Sequence, residues 1–324
     1  MSSDEIDITE KGVQMTPRKK SPVSKTAKSS KSSKTSKSSK TAKSSKAKSG
    51  KSKSAKAKSS KSAKPKSPTK VSFHQECPVD EYEDDIFELY RRREVLHSIS
   101  SLYLKQMNFM EPQNRPVLVG WIIEVCEATH IQQKTLHLTI HLLDKFLSLT
   151  PNITKPKLQL AGIGCLLIAV KFEGTYPIST SDLVYITDNT YTVKELKEME
   201  ILILKVLKYD ICTPTSIDFS ARYAEVLKLN KTQKDAMDYI LDSSLMSINS
   251  YCFPYSFKAA LAIFYILKKE KCTAEIVKKA EILTKYSCRS SQEYFKIVDV
   301  WLKNNREVKE KYSKLKYSNV GREL

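Results

Sequence analysis

NRPVLVGWIIEVCE (residues 114–127), TLHLTIHLLDKFLS (135–148) and KLQLAGIGCLLIAVKFEG (157–174) follow one another with almost no spare linker. Apolar residues recur in them at three- and four-residue spacing, which predicts three packed helices. Asn114 reads as the cap of the first, with Pro116 in the opening turn, where a missing N–H costs nothing. The second runs from about Gln132 to Leu149 and stops at Thr150-Pro151. The third, about Lys155 to Glu173, is apolar nearly all round and is expected to be the buried centre. None of the three sets a nucleophile beside a base, cradles a phosphate with glycines or gathers metal ligands. The stretch therefore predicts a binding protein with no cofactor and no metal, working through its surface.

Upstream, a helix is expected over about Asp84 to Gln106, carrying Arg91, Arg92 and Arg93, with Glu111, Pro112 and Gln113 breaking the chain after it. Downstream, helices are expected near Ser179–Thr187 and Thr192–Leu207, where Thr192 and Glu195 have capping-box spacing. The pattern restarts after Thr213-Pro214, with helices near Thr215–Leu227, Lys231–Ser247, Pro254–Lys268, Ala274–Thr284 and Ser290–Asn304. The fold class is all-α: two tandem five-helix bundles, residues 80–208 and 213–306, with an N-terminal helix and a basic extension over 307–324.

Charge is distributed very unevenly along the 324 residues. Residues 11–70 hold 21 Lys and Arg and no acid, against four acids in residues 1–10, so the first 70 residues account for +17 of the total +19. That Lys/Ser/Ala/Thr stretch has too little apolar area to offset the entropy of folding, so residues 1–75 are expected to be a disordered tail. Seven scattered cysteines without a CxxC pair, and no secretory pattern at the amino end, predict a reducing compartment. The longest apolar run, Leu158 to Val170, falls short of the roughly 20 residues that cross a bilayer, so no membrane partner is expected.

The motifs together resemble the cyclins, in particular the A- and B-type mitotic cyclins. NRPVLVGWIIEV is similar to the family's MRAILVDWLVEV, and KLQLAGIGCLLIAVKFEGTYP, DLVYITDNTYT and EMEILILKVLKYD continue it. The resemblance covers about Asp84 to Asn304, strongly in the first bundle and weakly in the second, and implies two cyclin-box bundles. It also implies a non-catalytic subunit that binds and activates a cyclin-dependent Ser/Thr kinase and controls cell-cycle progression at G2/M or S/G2. Lys171 and Glu200 match the pair that grips the kinase's regulatory helix, and Phe172, Leu202, Ile203 and Val206 are expected to divide between core and contact area.

Val117, Leu118, Trp121, Glu124, Leu158 and Gln159 match the family's patch for Arg-x-Leu segments of substrates and inhibitors, with Asn114 where the family has Met and Pro116 where it has Ala. Arg115 and Asp144 match an internal salt bridge. Gly120 and Gly174 stand where the family has acids, and each is expected to remove a charge near a partner site.

Other readings carry their own weight. His137 and His141 share a helix face but lack a third ligand and a base, which favours no metal role. Arg91 to Arg93 read as a solvated face. RREVLHSI resembles a destruction signal, but on a helix rather than in the tail. The tail, residues 11–70, is expected to direct the chain to the nucleus (and cytoplasm) or to contact DNA or RNA nonspecifically. Thr16 and Ser67 lie in Ser/Thr-Pro-x-Lys patterns that suit phosphorylation by a cyclin-dependent kinase, which would cancel positive charge. The rival function is a nucleic-acid-binding adaptor or a transcriptional cyclin with the same fold.

Overall fold

The computed structural model describes residues 82–100, 102–107, 111, 113–248 and 250–304. The expectations for the basic tail, for Thr16 and Ser67 and for the C-terminal extension fall outside these residues.

Among the described residues there is helix and no strand. Helix α1 (Glu83–Leu96) and the short α2 (Tyr103–Gln106) lead into α3 (Asn114–Ala128), α4 (Gln133–Leu149), α5 (Leu158–Glu173), α6 (Thr180–Ile186) and α7 (Val193–Val206). Then come α8 (Ser216–Val226), α9 (Lys231–Met246), α10 (Tyr255–Lys269), α11 (Ala274–Thr284), α12 (Cys288–Ser291) and α13 (Phe295–Asn304). Two hydrophobic clusters organise them, one centred on α5 and one on α10. The all-helical, two-bundle expectation holds.

α5 is the rod of the first cluster: every residue from Leu160 to Val170 is buried. Burial of a Leu, Ile or Val side chain contributes about 1.5–3 kcal/mol, so a helix covered on all sides is held by packing rather than by propensity. Two glycines let its neighbours approach. A Cβ on Gly162 would sit 3.1 Å from the Ile122 side chain of α3, and one on Gly164 would sit 2.9 Å from the Ile203 side chain of α7. α10 has the same place in the second cluster, with Lys258 to Leu267 all buried.

Three expectations about helix bounds are corrected. The first helix is not continuous to Gln106: α1 ends at Leu96 and the chain turns before α2. Asn114 is the first helical residue rather than the cap, and Gln113 before it makes no capping bond. The last helix is divided, α12 and a 3-10 turn preceding α13.

Arg91 and Arg93 are not a solvated face; they dock α1. Arg91 Nη2 donates to the Thr284 carbonyl at 2.6 Å, and its guanidinium lies 5.1 Å from the Phe87 ring centre. Arg93 donates to the Cys212 carbonyl at 2.6 Å and to Asp210 at 2.7 Å. Only Arg92 stays exposed, 3.9 Å from Glu88. The acceptors that dock them, Thr284, Cys212 and Asp210, lie more than a hundred residues away in sequence, so a local charge run cannot reveal them.

The two bundles share their junction. α3 and α4 pack against α8 and α9, and Leu245 and Tyr251 belong to the first hydrophobic cluster although they follow α8.

Candidate functional site

The last turn of α5 and the middle of α7 carry the first candidate site. α7 is started by a capping box: Thr192 Oγ1 accepts from the Glu195 N–H at 3.2 Å, and the Glu195 carboxylate accepts from the Thr192 N–H at 2.8 Å. Those bonds from Thr192 hold the Glu195 carboxyl below its usual range. A cation in the last turn of a helix meets the negative end of its dipole, and Lys171 occupies that position on α5. Its Nζ donates to Glu200 Oε1 of α7 at 2.5 Å. The Lys171 side chain is 54% exposed and that of Glu200 14%, so the pair stands at the surface.

Beside it, Phe172 and Leu202 are each 46% exposed, and Val206 is half-buried. Ile203 falls on the core side of the expected division: it is fully buried and therefore lies outside any contact area. Leu196, Met199 and Ile203 step by three and four along the inward face of α7, and Leu202 lies about 100° round the helix from Ile203. Ile201 on α7 itself, and Tyr176, Tyr185 and Tyr209 on the flanking segments, are also exposed and were not singled out from the sequence. Their aromatic and aliphatic character beside the charged pair is the signal that could have found them.

α3 carries the second candidate site. Val117 is 74% exposed, Glu124 is exposed, and Trp121 and Gln159 are half-buried. Leu118 and Leu158 are corrected: at 9% and 5% exposure they lie under the patch instead of on it. Leu118 is on the same face of α3 as Ile122, and its methyl group closes over Gly162. Gly120 is corrected too. A Cβ there would meet the Met246 side chain of α9 at 3.2 Å, so the position faces the second bundle.

Arg115 and Asp144 form a buried bidentate pair, Nε to Oδ1 at 2.8 Å and Nη2 to Oδ2 at 2.7 Å. Tyr103 donates to the same carboxylate at 2.5 Å. Arg115 Nη1 then donates to the carbonyls of Leu245 at 2.8 Å and Ser247 at 3.0 Å, which ties α3 to the end of α9. Burial alone would depress the arginine; the Asp144 carboxylate outweighs it and holds the group above its ordinary value.

His137 and His141 also work at the junction. His137 Nε2 lies 2.9 Å from Asp242 of α9, and His141 Nδ1 lies 2.6 Å from Tyr255 Oη of α10. Burial pushes His141 down to about 3, with the neighbouring His97 adding to the effect.

Residues 85–212 match the cyclin N-terminal domain. A G2/mitotic-specific cyclin-2 of Medicago sativa is 35% identical over 186 residues, covering 57% of this chain and 56% of the relative. A G2/mitotic-specific cyclin-A of Patella vulgata is 32% identical over 75% of this chain and 58% of the relative. A G2/mitotic-specific cyclin-B2 of Rana japonica is 37% identical over 56% and 46%. The chain spans about half the length of the curated relatives it matches. Its fold is that of a viral cyclin from herpesvirus saimiri, with a TM-score of 0.59 at 21% identity over 67% of this chain and 96% of that one. The first bundle is thus similar to the cyclin N-terminal domain, and the relatives that this chain resembles include both A- and B-type mitotic cyclins.

Proposed function

We propose that this chain is the non-catalytic regulatory subunit of a cyclin-dependent Ser/Thr kinase, forming a heterodimer with it and driving cell-cycle progression at G2/M or S/G2. The observation that carries the reading is the surface pair Lys171–Glu200 flanked by exposed Phe172 and Leu202. An ammonium suits the free carbonyls of a partner helix and a carboxylate suits its free amides, while the two apolar side chains supply a dry centre. The two charged groups hold each other in place before the partner arrives, which lowers the ordering cost of binding. Clamping the kinase helix that carries the glutamate paired to the ATP-contacting lysine stabilises the active arrangement.

The test mixes the purified chain with a cyclin-dependent kinase and follows histone phosphorylation. Stimulation is expected with the wild type and is expected to vanish in the Lys171→Ala/Glu200→Ala variant. Undiminished stimulation by the variant overturns the contact.

The α3 patch takes Arg-x-Leu segments of substrates and inhibitors: Glu124 receives the arginine, and Val117 and Trp121 receive the leucine, bordered by Gln159. The Lys density of residues 11–70 supports nuclear targeting and salt-sensitive contact with DNA or RNA, tuned by phosphate on Thr16 and Ser67.

A further inference from the structure

Three consecutive side chains in the opening of α4 each reach a different element. Gln132, at the N-cap position, makes no capping bond; its amide donates instead to Thr175 Oγ1 at 3.1 Å, just past the end of α5. Gln133 donates to Asp242 Oδ1 of α9 at 2.7 Å. Lys134 Nζ stands between two carboxylates, 3.1 Å from Glu173 Oε2 and 3.2 Å from Asp218 Oδ1. Glu173 is the last residue of α5, directly after Lys171 and Phe172. Asp218 belongs to the second bundle, where its other oxygen accepts from Thr215 N–H at 2.8 Å and Thr215 Oγ1 at 2.9 Å and so caps α8.

A lysine in the first turn of a helix faces the positive end of the dipole, and nothing local favours it there. The carboxylates supply the reason. Burial would lower the Lys134 pKa, yet Asp218 and then Glu173 outweigh it and raise the group above its ordinary value. The Asp218 side chain is 9% exposed and fixed by the cap, so it is the rigid end of the arrangement; that of Glu173 is 25% exposed and is the end being held.

We propose that Lys134 is a positioning residue: by tying Glu173 to the capping box of α8, it makes the second bundle set the orientation of the Lys171–Phe172 end of α5. Its consequence for kinase binding rests on the partner contact proposed above, whereas the latch itself does not. An ion pair with a cation 43% exposed contributes little to global stability. Its effect is on where the end of α5 points.

The experiment uses the full chain in two arms. In the first, hydrogen exchange of the free protein is followed at Phe172 to Thr175 in wild type, Lys134→Met and Lys134→Arg. Lys134→Met is expected to speed exchange in this segment, with the thermal midpoint held within about 2 °C, and Lys134→Arg is expected to restore protection. In the second, affinity for a purified mitotic cyclin-dependent kinase is measured. Lys134→Met and Asp218→Asn are each expected to weaken binding about three- to tenfold, and the double variant no more than the stronger single one.

Unchanged exchange, unchanged affinity alongside intact wild-type binding, or additive losses overturn the proposal. Accelerated exchange in a protein whose wild type binds no such kinase leaves the latch standing and removes the kinase reading instead.

Discussion

The two central helices are sealed by different means. α5 is wrapped over Leu160 to Val170 with glycines at the tightest approaches, and its charges, Lys171 and Glu173, sit at its exposed end. α10 is wrapped over Lys258 to Leu267 with alanines, and it takes charge inside. Lys258 is 2% exposed, with Nζ 4.4 Å from the centre of the Tyr255 ring, and burial followed by Arg115 lowers it to about 8. Glu94 of α1, also buried, accepts from Ser256 N–H at 2.6 Å and Ser256 Oγ at 2.7 Å at the start of α10. A carboxylate at a helix N-terminus is favourably placed, and here it fastens α1. At the end of α5 charge faces outward, where a partner can use it; around α10, charge holds the molecule to itself. Substitutions should therefore separate binding from folding at the end of α5 and combine the two around α10.

The largest test falls on the junction. Arg115→Met leaves Asp144 buried without its cation and two carbonyls without their donor, and a loss of about 3–5 kcal/mol is expected from urea unfolding. A single transition in that experiment means that the bundles unfold as one; two transitions would break the comparison by making them independent. Next, Glu94→Ala strands the Ser256 N–H and should cost about 2–3 kcal/mol, with α1 becoming sensitive to protease while α5 and α7 keep their protection.

Acid sharpens the contrast further. His141 has a folded pKa of about 3 against the ordinary 6.5, so between those values the unfolded chain binds the extra proton. Stability is complete above about pH 6.5 and falls toward pH 3, with this group contributing about 1.4 kcal/mol per pH unit. The slope should flatten in His141→Gln. The smallest effect belongs to the first bundle: Lys171→Ala/Glu200→Ala is expected to change unfolding free energy by less than about 1 kcal/mol while removing kinase stimulation.

Most helix positions were legible because each uses a local rule. The apolar spacing and the Thr192–Glu195 box place α7 within a residue, and Ala274–Thr284 is α11 to the residue. Two further boxes, Thr215–Asp218 and Asn230–Gln233, follow the same spacing rule and were passed over. The Lys171–Glu200 pair was legible by resemblance, but the split between Leu202 and Ile203 was not, because it depends on the rotational phase of α7 against α5. Illegible in principle were Arg91, Arg93, Gln132 and Lys134: each looks like an ordinary surface polar residue until folding brings a partner from a distant segment.

Arg115 has a practical corollary for anyone dissecting the molecule. Its guanidinium needs the carbonyls of Leu245 and Ser247, and the first hydrophobic cluster needs Leu245 and Tyr251. A fragment cut in the linker after residue 212 would keep the whole of the matched domain and still lack part of its own roof, with a buried cation left facing solvent. The shortest autonomous piece has to continue through Tyr251, so sequence-family boundaries and folding boundaries do not coincide in this chain.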